Sequence, residues 1–135
     1  MKLGLFLASW LAVSSPAIAQ TFTGQLFSCL VLTRGALTDD GRLAPNNLQK
    51  SLASIQTQFL YDDSTQVLRW EAGNEPWEYR RLQEGSTQNG LVAVRIYPGT
   101  SQTVVDVLRI KTYLKNWPFM LIEGDEVYTG TCKRY

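Results

Sequence analysis

The side chains able to do chemistry in this chain are few, and their types narrow the reactions at once. There is no histidine, and the only two cysteines are Cys29 and Cys132. Without histidine, Ser-His-Asp and Cys-His catalysis, histidine general bases and nearly all zinc hydrolase sites fall away. Carboxylate pairs remain, because glycoside hydrolysis needs only two. The candidates are Asp39-Asp40, Asp62-Asp63 and the trio Glu123, Asp125 and Glu126 around Gly124. All lie in stretches that read as turns, where Asp and Gly are favoured for backbone reasons, so turn formation accounts for them before catalysis does. The acidic trio lacks the spaced Asp/Asn loop of a calcium motif. Neither G-x-x-x-x-G-K-[ST] nor G-x-G-x-x-G occurs. The expectation is a non-enzyme with no catalytic residue, no metal and no cofactor.

Two places could instead bind. Asp106, in "TVVDVLRIKTYL" (Thr103–Leu114), shares a strand face with Val104, Leu108 and Ile110. An inward carboxylate needs a partner, such as Arg95 or Arg69. A position near a rim or at a bulge would serve Asp106 as well. The sharper reading makes it a polar anchor for a ligand in an otherwise apolar pocket. The loop "GNEPWEY" (Gly73–Tyr79) offers Asn74, Glu75 and Trp77 as candidate partner-binding residues, since Trp, Tyr and Arg dominate interface hot spots. Trp77, and Trp117 in "KNWPF", suit core positions equally, because each begins a strand whose alternation continues it.

The elements that must position these residues follow from compartment and pattern. "MKLGLFLASWLAVSSPAIAQ" has the three parts of a secretory signal peptide over residues 1–19: Lys2, the apolar run Leu3–Val13, and Ala17-Ile18-Ala19 as an A-x-A cleavage site. The run is shorter than the roughly 20 residues of a membrane anchor. Gln20, not cysteine, follows the site, so no lipid anchor is expected. The mature chain is expected to begin at Gln20, in the periplasm or outside the cell, as a single domain over residues 20–135. In an oxidising space Cys29 and Cys132 read as a structural disulfide. Lys2 is the only leader charge, so loss of residues 1–19 leaves twelve basic and twelve acidic side chains. That balance argues against nucleic acid and membrane surfaces as partners.

The mature sequence reads as strands punctuated by turns. "QLFSCLVLT" comes first, and a short helix is expected in "APNNLQKSLASI" (Ala44–Ile55), with Leu48, Leu52 and Ile55 at i, i+4 and i+7. Then follow "IQTQFLYD", "VLRWEA", "WEYRRLQE", "LVAVRIYP", "TVVDVLRIKTYL", "PFMLIE" and "EVYTGTC". Short loops make sequence neighbours sheet neighbours. An open meander would leave its first and last strands at opposite edges, yet a bridge needs Cα atoms within about 7 Å. The expectation is therefore mainly β: a single antiparallel up-and-down barrel of about eight strands, closed by the disulfide. A β-sandwich whose termini meet is the alternative.

With cysteines on its terminal strands and a leader, the chain resembles small exported bacterial barrels of the calycin type. "VYTGTC" and "LVAVRIY" are similar to stretches of small exported bacterial proteins of uncharacterised function. Periplasmic inhibitors of C-type lysozyme share the general plan. Their inhibitory loop carries Ser-Gly-x-x-Tyr, whereas "EGSTQNGLVAV" here has Thr87 after Ser86 and no tyrosine. The resemblance implies a fold, and no inhibitory residue carries over. What remains is a monomeric, exported binding protein acting on an envelope or extracellular protein, in the manner of an inhibitor. The alternative is a carrier of a small apolar ligand in the barrel interior. Large residues such as Phe59, Tyr61, Trp70 and Phe119 favour a filled interior and hence the first. Intact mass of the envelope-purified protein is expected to match a chain starting at Gln20. A retained leader or an added acyl mass would overturn the export reading.

Overall fold

Runs of β-branched and aromatic residues alternating with polar ones form strands, because one face can be buried while the other is solvated. The computed structural model of the protein describes residues 18–45, 58–73 and 75–135, and none of these is helical. Their strands are β1 (Leu26–Leu37), β2 (Leu43–Pro45), β3 (Gln58–Asp62), β4 (Val67–Trp70), β5 (Trp77–Glu78), β6 (Arg80–Gln83), β7 (Leu91–Pro98), β8 (Thr103–Ile110), β9 (Pro118–Glu123) and β10 (Glu126–Arg134). They form one sheet in the order β5-β4-β3-β1-β10-β9-β8-β7-β6, with β2 added to β1 off that path. Only Tyr79 separates β5 from β6. The two ends of the order are thus halves of one chain segment, and the sheet is a nearly closed antiparallel barrel with eight segments in its wall. No helix among the described residues is long and apolar enough to cross a membrane.

The seam between first and last strands is built as the cysteine positions imply. Antiparallel pairing of β1 with β10 runs from Phe27↔Arg134 to Ala36↔Glu126 and sets Cys29 opposite Cys132. Their Cα atoms are 4.0 Å apart and the sulfurs are bonded. At Gly130 the two strands come so close that a Cβ would stand 1.9 Å from the Leu30 carbonyl oxygen, so only glycine fits. A bulge between Val31 and Thr33 follows at once. Its extra residue reverses the alternation, and Arg34 then lies opposite the buried Tyr128.

Aromatic rings fill the interior. Phe59 meets Phe119 edge-on at 5.0 Å and Trp70 at 5.2 Å, and Trp70 meets Tyr128 at 5.1 Å. Leu68, Leu91, Leu108, Ile110 and Leu121 occupy the space around them and are fully buried. One end of the barrel is plugged. Phe22 packs on Trp117, which also contacts Phe27. The plug is held by hydrogen bonds from Phe22 N to Gly85 O (2.8 Å) and from Gly24 N to Asp63 Oδ2 (2.9 Å).

Several expectations change in detail. Ala44 and Pro45, expected to start a helix, belong to β2, and the rest of that helix lies outside the described residues. The leader does too, apart from residues 18 and 19. β8 stops at Ile110 instead of running to Leu114, because Leu114 N turns back to Lys111 O at 3.0 Å. The strand expected across "WEYRRLQE" is split at Tyr79. β4 has only four residues, and Gln66 before it is in the left-handed region (φ 57°), so the ladder ends there. Gln66 still accepts Tyr79 N on its carbonyl and Arg81 N on its side chain, both at 2.8 Å. Beyond that point β6 pairs with β7 instead.

Closure and the covalent bridge act at the same place. Changing Cys29 or Cys132 to Ser should lower stability by roughly 2–5 kcal/mol, the range for a native bridge in a small domain. Denaturant unfolding checks this, and two titratable thiols in the unreduced, unfolded protein would contradict it.

Candidate functional site

Opposite the plug, the described residues leave an open mouth lined by charge and rings. Alternation puts it there: moving towards the mouth, the inward positions change from apolar to polar on four strands. On β8, Ile110 and Leu108 give way to Asp106. On β9, Phe119 and Leu121 give way to Glu123. On β10, Tyr128 is followed by Glu126, and on β7, Leu91 and Ala93 by Arg95 and Tyr97. These groups surround an open cleft of about 520 Å³ together with Arg34, Trp70 and Trp77.

Asp106 and Arg95 are direct cross-strand partners in the β7–β8 ladder. The Asp106 side chain is 1% exposed and that of Arg95 15%, with Nη1 and Oδ2 3.6 Å apart. Asp106 Oδ1 also accepts the Gly124 amide at 2.9 Å, so the turn after β9 fixes the carboxylate. The Arg95 guanidinium lies 3.6 Å from the Trp77 ring centroid and 4.0 Å from that of Tyr97, a cation between two π faces. Across the mouth, Arg34 engages both carboxylate oxygens of Glu126, which also accepts the Tyr128 hydroxyl. Arg34 also lies over the Tyr128 ring at 5.2 Å. Glu123 completes the set, with Oε1 accepting Trp70 Nε1 at 3.3 Å and Tyr79 Oη at 3.1 Å.

Environment separates the two glutamates. Burial raises the Glu123 carboxyl above its ordinary range, although the Trp70 and Tyr79 hydrogen bonds act against the rise. Burial also works against Glu126, but there the Tyr128 hydroxyl and the Arg34 guanidinium outweigh it, and its acidity increases. The Tyr79 hydroxyl is pushed far above the usual phenol range by burial and by the Glu123 charge.

The residues singled out in sequence fall in different places. Trp77 and Asp106 meet through Arg95, one by its ring and the other by its carboxylate. Trp77 is half-buried, packing on the core while its ring face carries the guanidinium. Glu75 is exposed, and Asn74 lies outside the described residues. Arg69, the other partner considered for Asp106, is exposed. Asp39 and Asp40 sit in an exposed turn with Arg42 at 3.4 Å from Asp40. Asp62 and Asp63 diverge. Asp62 accepts Ser64 N at 2.9 Å within its turn, while Asp63 is buried at the plugged end against Arg81. Within the acidic trio, Gly124 and Asp125 form the tip, while Glu123 and Glu126 are the paired residues flanking it. Arg34, Tyr97 and Glu123 were not recognised as mouth residues. Strand parity was available for Glu123 and Tyr97, whereas Arg34 faces inward only because of the bulge. Among the described residues, no group of three or more His, Cys, Asp or Glu side chains is placed to hold a metal.

No family model matches the chain, and no curated protein or solved structure matches it at a significant level.

The raised Glu123 gives a signed pH effect. Its contribution to stability is complete below the unfolded value, about 4.5, and is lost as pH rises through the higher folded value. Glu123→Gln keeps an oxygen for Trp70 and Tyr79 but cannot ionise. Thermal unfolding from pH 4 to 8 should show the variant gaining on the native chain as pH rises. A constant difference across that range would contradict the effect.

Proposed function

We propose that this is an exported, non-enzymatic binding protein that recognises another protein through its open mouth and the wall beside it. The observation that carries the reading is the Trp77–Arg95–Tyr97 stack. It lines both the mouth cleft and a second open cleft of about 500 Å³ on the adjoining wall. Trp, Tyr and Arg are the residue types in which binding energy concentrates, because each offers a large rigid face plus a directed polar group. Here the three are ordered before any partner arrives, so little side-chain entropy remains to be lost on binding. The ring-filled interior supports surface recognition over the carriage of an apolar ligand. The leader pattern and the disulfide support action in the periplasm or outside the cell.

Affinity capture from the cell envelope tests the reading with two variants. Trp77→Ala and Tyr97→Ala each remove one face of the stack and leave the Arg95–Asp106 pair in place. Each should weaken partner capture by about 2 kcal/mol or more. Lys133→Ala, at an exposed position near the end of strand β10 at the plugged end, should leave capture unchanged. Normal capture by both stack variants, with thermal unfolding showing them folded, would overturn the proposal.

A further inference from the structure

The split at Tyr79 leaves a gap in the barrel wall. β8 pairs with β7 along its whole length, from Leu91↔Ile110 to Pro98↔Thr103. On its other side β7 is paired only at Val92, Ala93 and Val94, by β6. Arg95–Pro98 therefore present an open strand edge among the described residues. Across from that edge, β5 pairs with β4 alone. The slit between β5 and β7 is the 500 Å³ cleft, with Trp77, Arg95 and Tyr97 shared with the mouth and Glu78, Arg80, Val94 and Ile96 along its sides. The plugged end has the complementary gap, where β6 leaves β4, but that one is occupied by the Asp63–Arg81 pair and the Gln66 side chain. Among the described residues, only the gap at the mouth end of this split is open.

We propose that this slit receives an extended, acidic segment of the partner protein, which adds as a strand to the free edge of β7. The inference rests on the interaction reading above and names the partner's chemistry. An unpaired strand edge offers backbone donors and acceptors in a fixed row, which any extended chain can satisfy. In the lining of the slit Arg80 and Arg95 stand with Glu78, whereas Asp106, 3.6 Å from Arg95, is buried and lines the mouth cleft instead, so the slit presents guanidinium N–H groups to an incoming carboxylate. The guanidinium of Arg95 is covered by rings on its faces, and its ion-pair partner among the described residues, Asp106, is 3.6 Å away, beyond hydrogen-bond length. Its N–H edge thus has capacity for an incoming carboxylate. Ile96 is 59% exposed beside the slit and suits an apolar side chain at alternate positions of the added strand.

Three capped heptapeptides test this with the purified protein: one alternating Glu and Val, one alternating Lys and Val, and the Glu–Val peptide N-methylated at alternate residues. The Glu–Val peptide should bind saturably and slow hydrogen exchange at one or more of the Arg95, Ile96 and Tyr97 amides by about tenfold or more. The Lys–Val and N-methylated peptides should bind at least about tenfold more weakly, one because its charge has the wrong sign and the other for want of backbone donors. Equal binding by the N-methylated peptide would sink strand addition, as would absent binding or protection confined to other strands. Concentration-dependent dimerisation that protects these amides without peptide would assign the edge to a second copy and overturn the proposal. Silent peptides alongside lost capture in Trp77→Ala and Tyr97→Ala would remove this inference and leave the interaction reading standing.

Discussion

Pairing of β1 with β10 is the constraint on which the rest of the structure depends. It converts an eight-segment meander into a barrel, and every inward residue then faces its counterparts across one shared interior. The cysteines lie opposite one another near the plugged end of this seam, and Gly130 permits the close approach above them. The bulge next to Gly130 turns Arg34 into the mouth, where it meets Glu126 and Tyr128. A shift of one residue in this pairing would separate the sulfurs and send Arg34 to solvent. Covalent closure, the glycine and the charged mouth are thus consequences of one register.

The two ends of the barrel answer the same problem differently. Inward side chains near a barrel end cannot all be apolar, because water reaches them. At one end the chain covers them with Phe22, and Asp63 is paired beneath by Arg81 and Gly24. At the other, ion pairs and phenol or indole donors satisfy carboxylates that remain close to solvent. Buried ion pairs of this kind are weak sources of stability, since desolvation offsets most of their attraction. Both ends keep such pairs, Asp63–Arg81 beneath the plug and Arg34–Glu126 and Arg95–Asp106 at the mouth.

Much of this was legible in the residues. Alternation in "LVAVRIYP" and "PFMLIE" located β7 and β9 to the residue, because a two-residue period survives any tertiary context that buries one face. The cysteine positions dictated closure. Asp106 stood out because a carboxylate had entered an apolar stripe, and Arg95 was a partner that parity allowed. What escaped reading depended on backbone events without a side-chain pattern. The bulge after Val31 changes parity silently, and strand parity alone would turn Arg34 outward. The interruption at Tyr79 depends on where β4 ends and on the left-handed Gln66, neither of which "WEYRRLQE" reveals. β2 is three residues long, too short for a period to be recognised.

Closing the wall with the segments furthest apart in the chain also governs the order of events during synthesis. Cys29 and Cys132 are 103 positions apart, and the ladder that joins them is the one that completes the barrel. A nascent chain that stops short of β10 has two open sheet edges and no covered interior, so it has no stable partial barrel to fall into. Contacts of such long sequence separation form late, because the loop must be closed before they return any stabilisation. The pairing that finishes the barrel therefore also postpones it until the whole chain has been made.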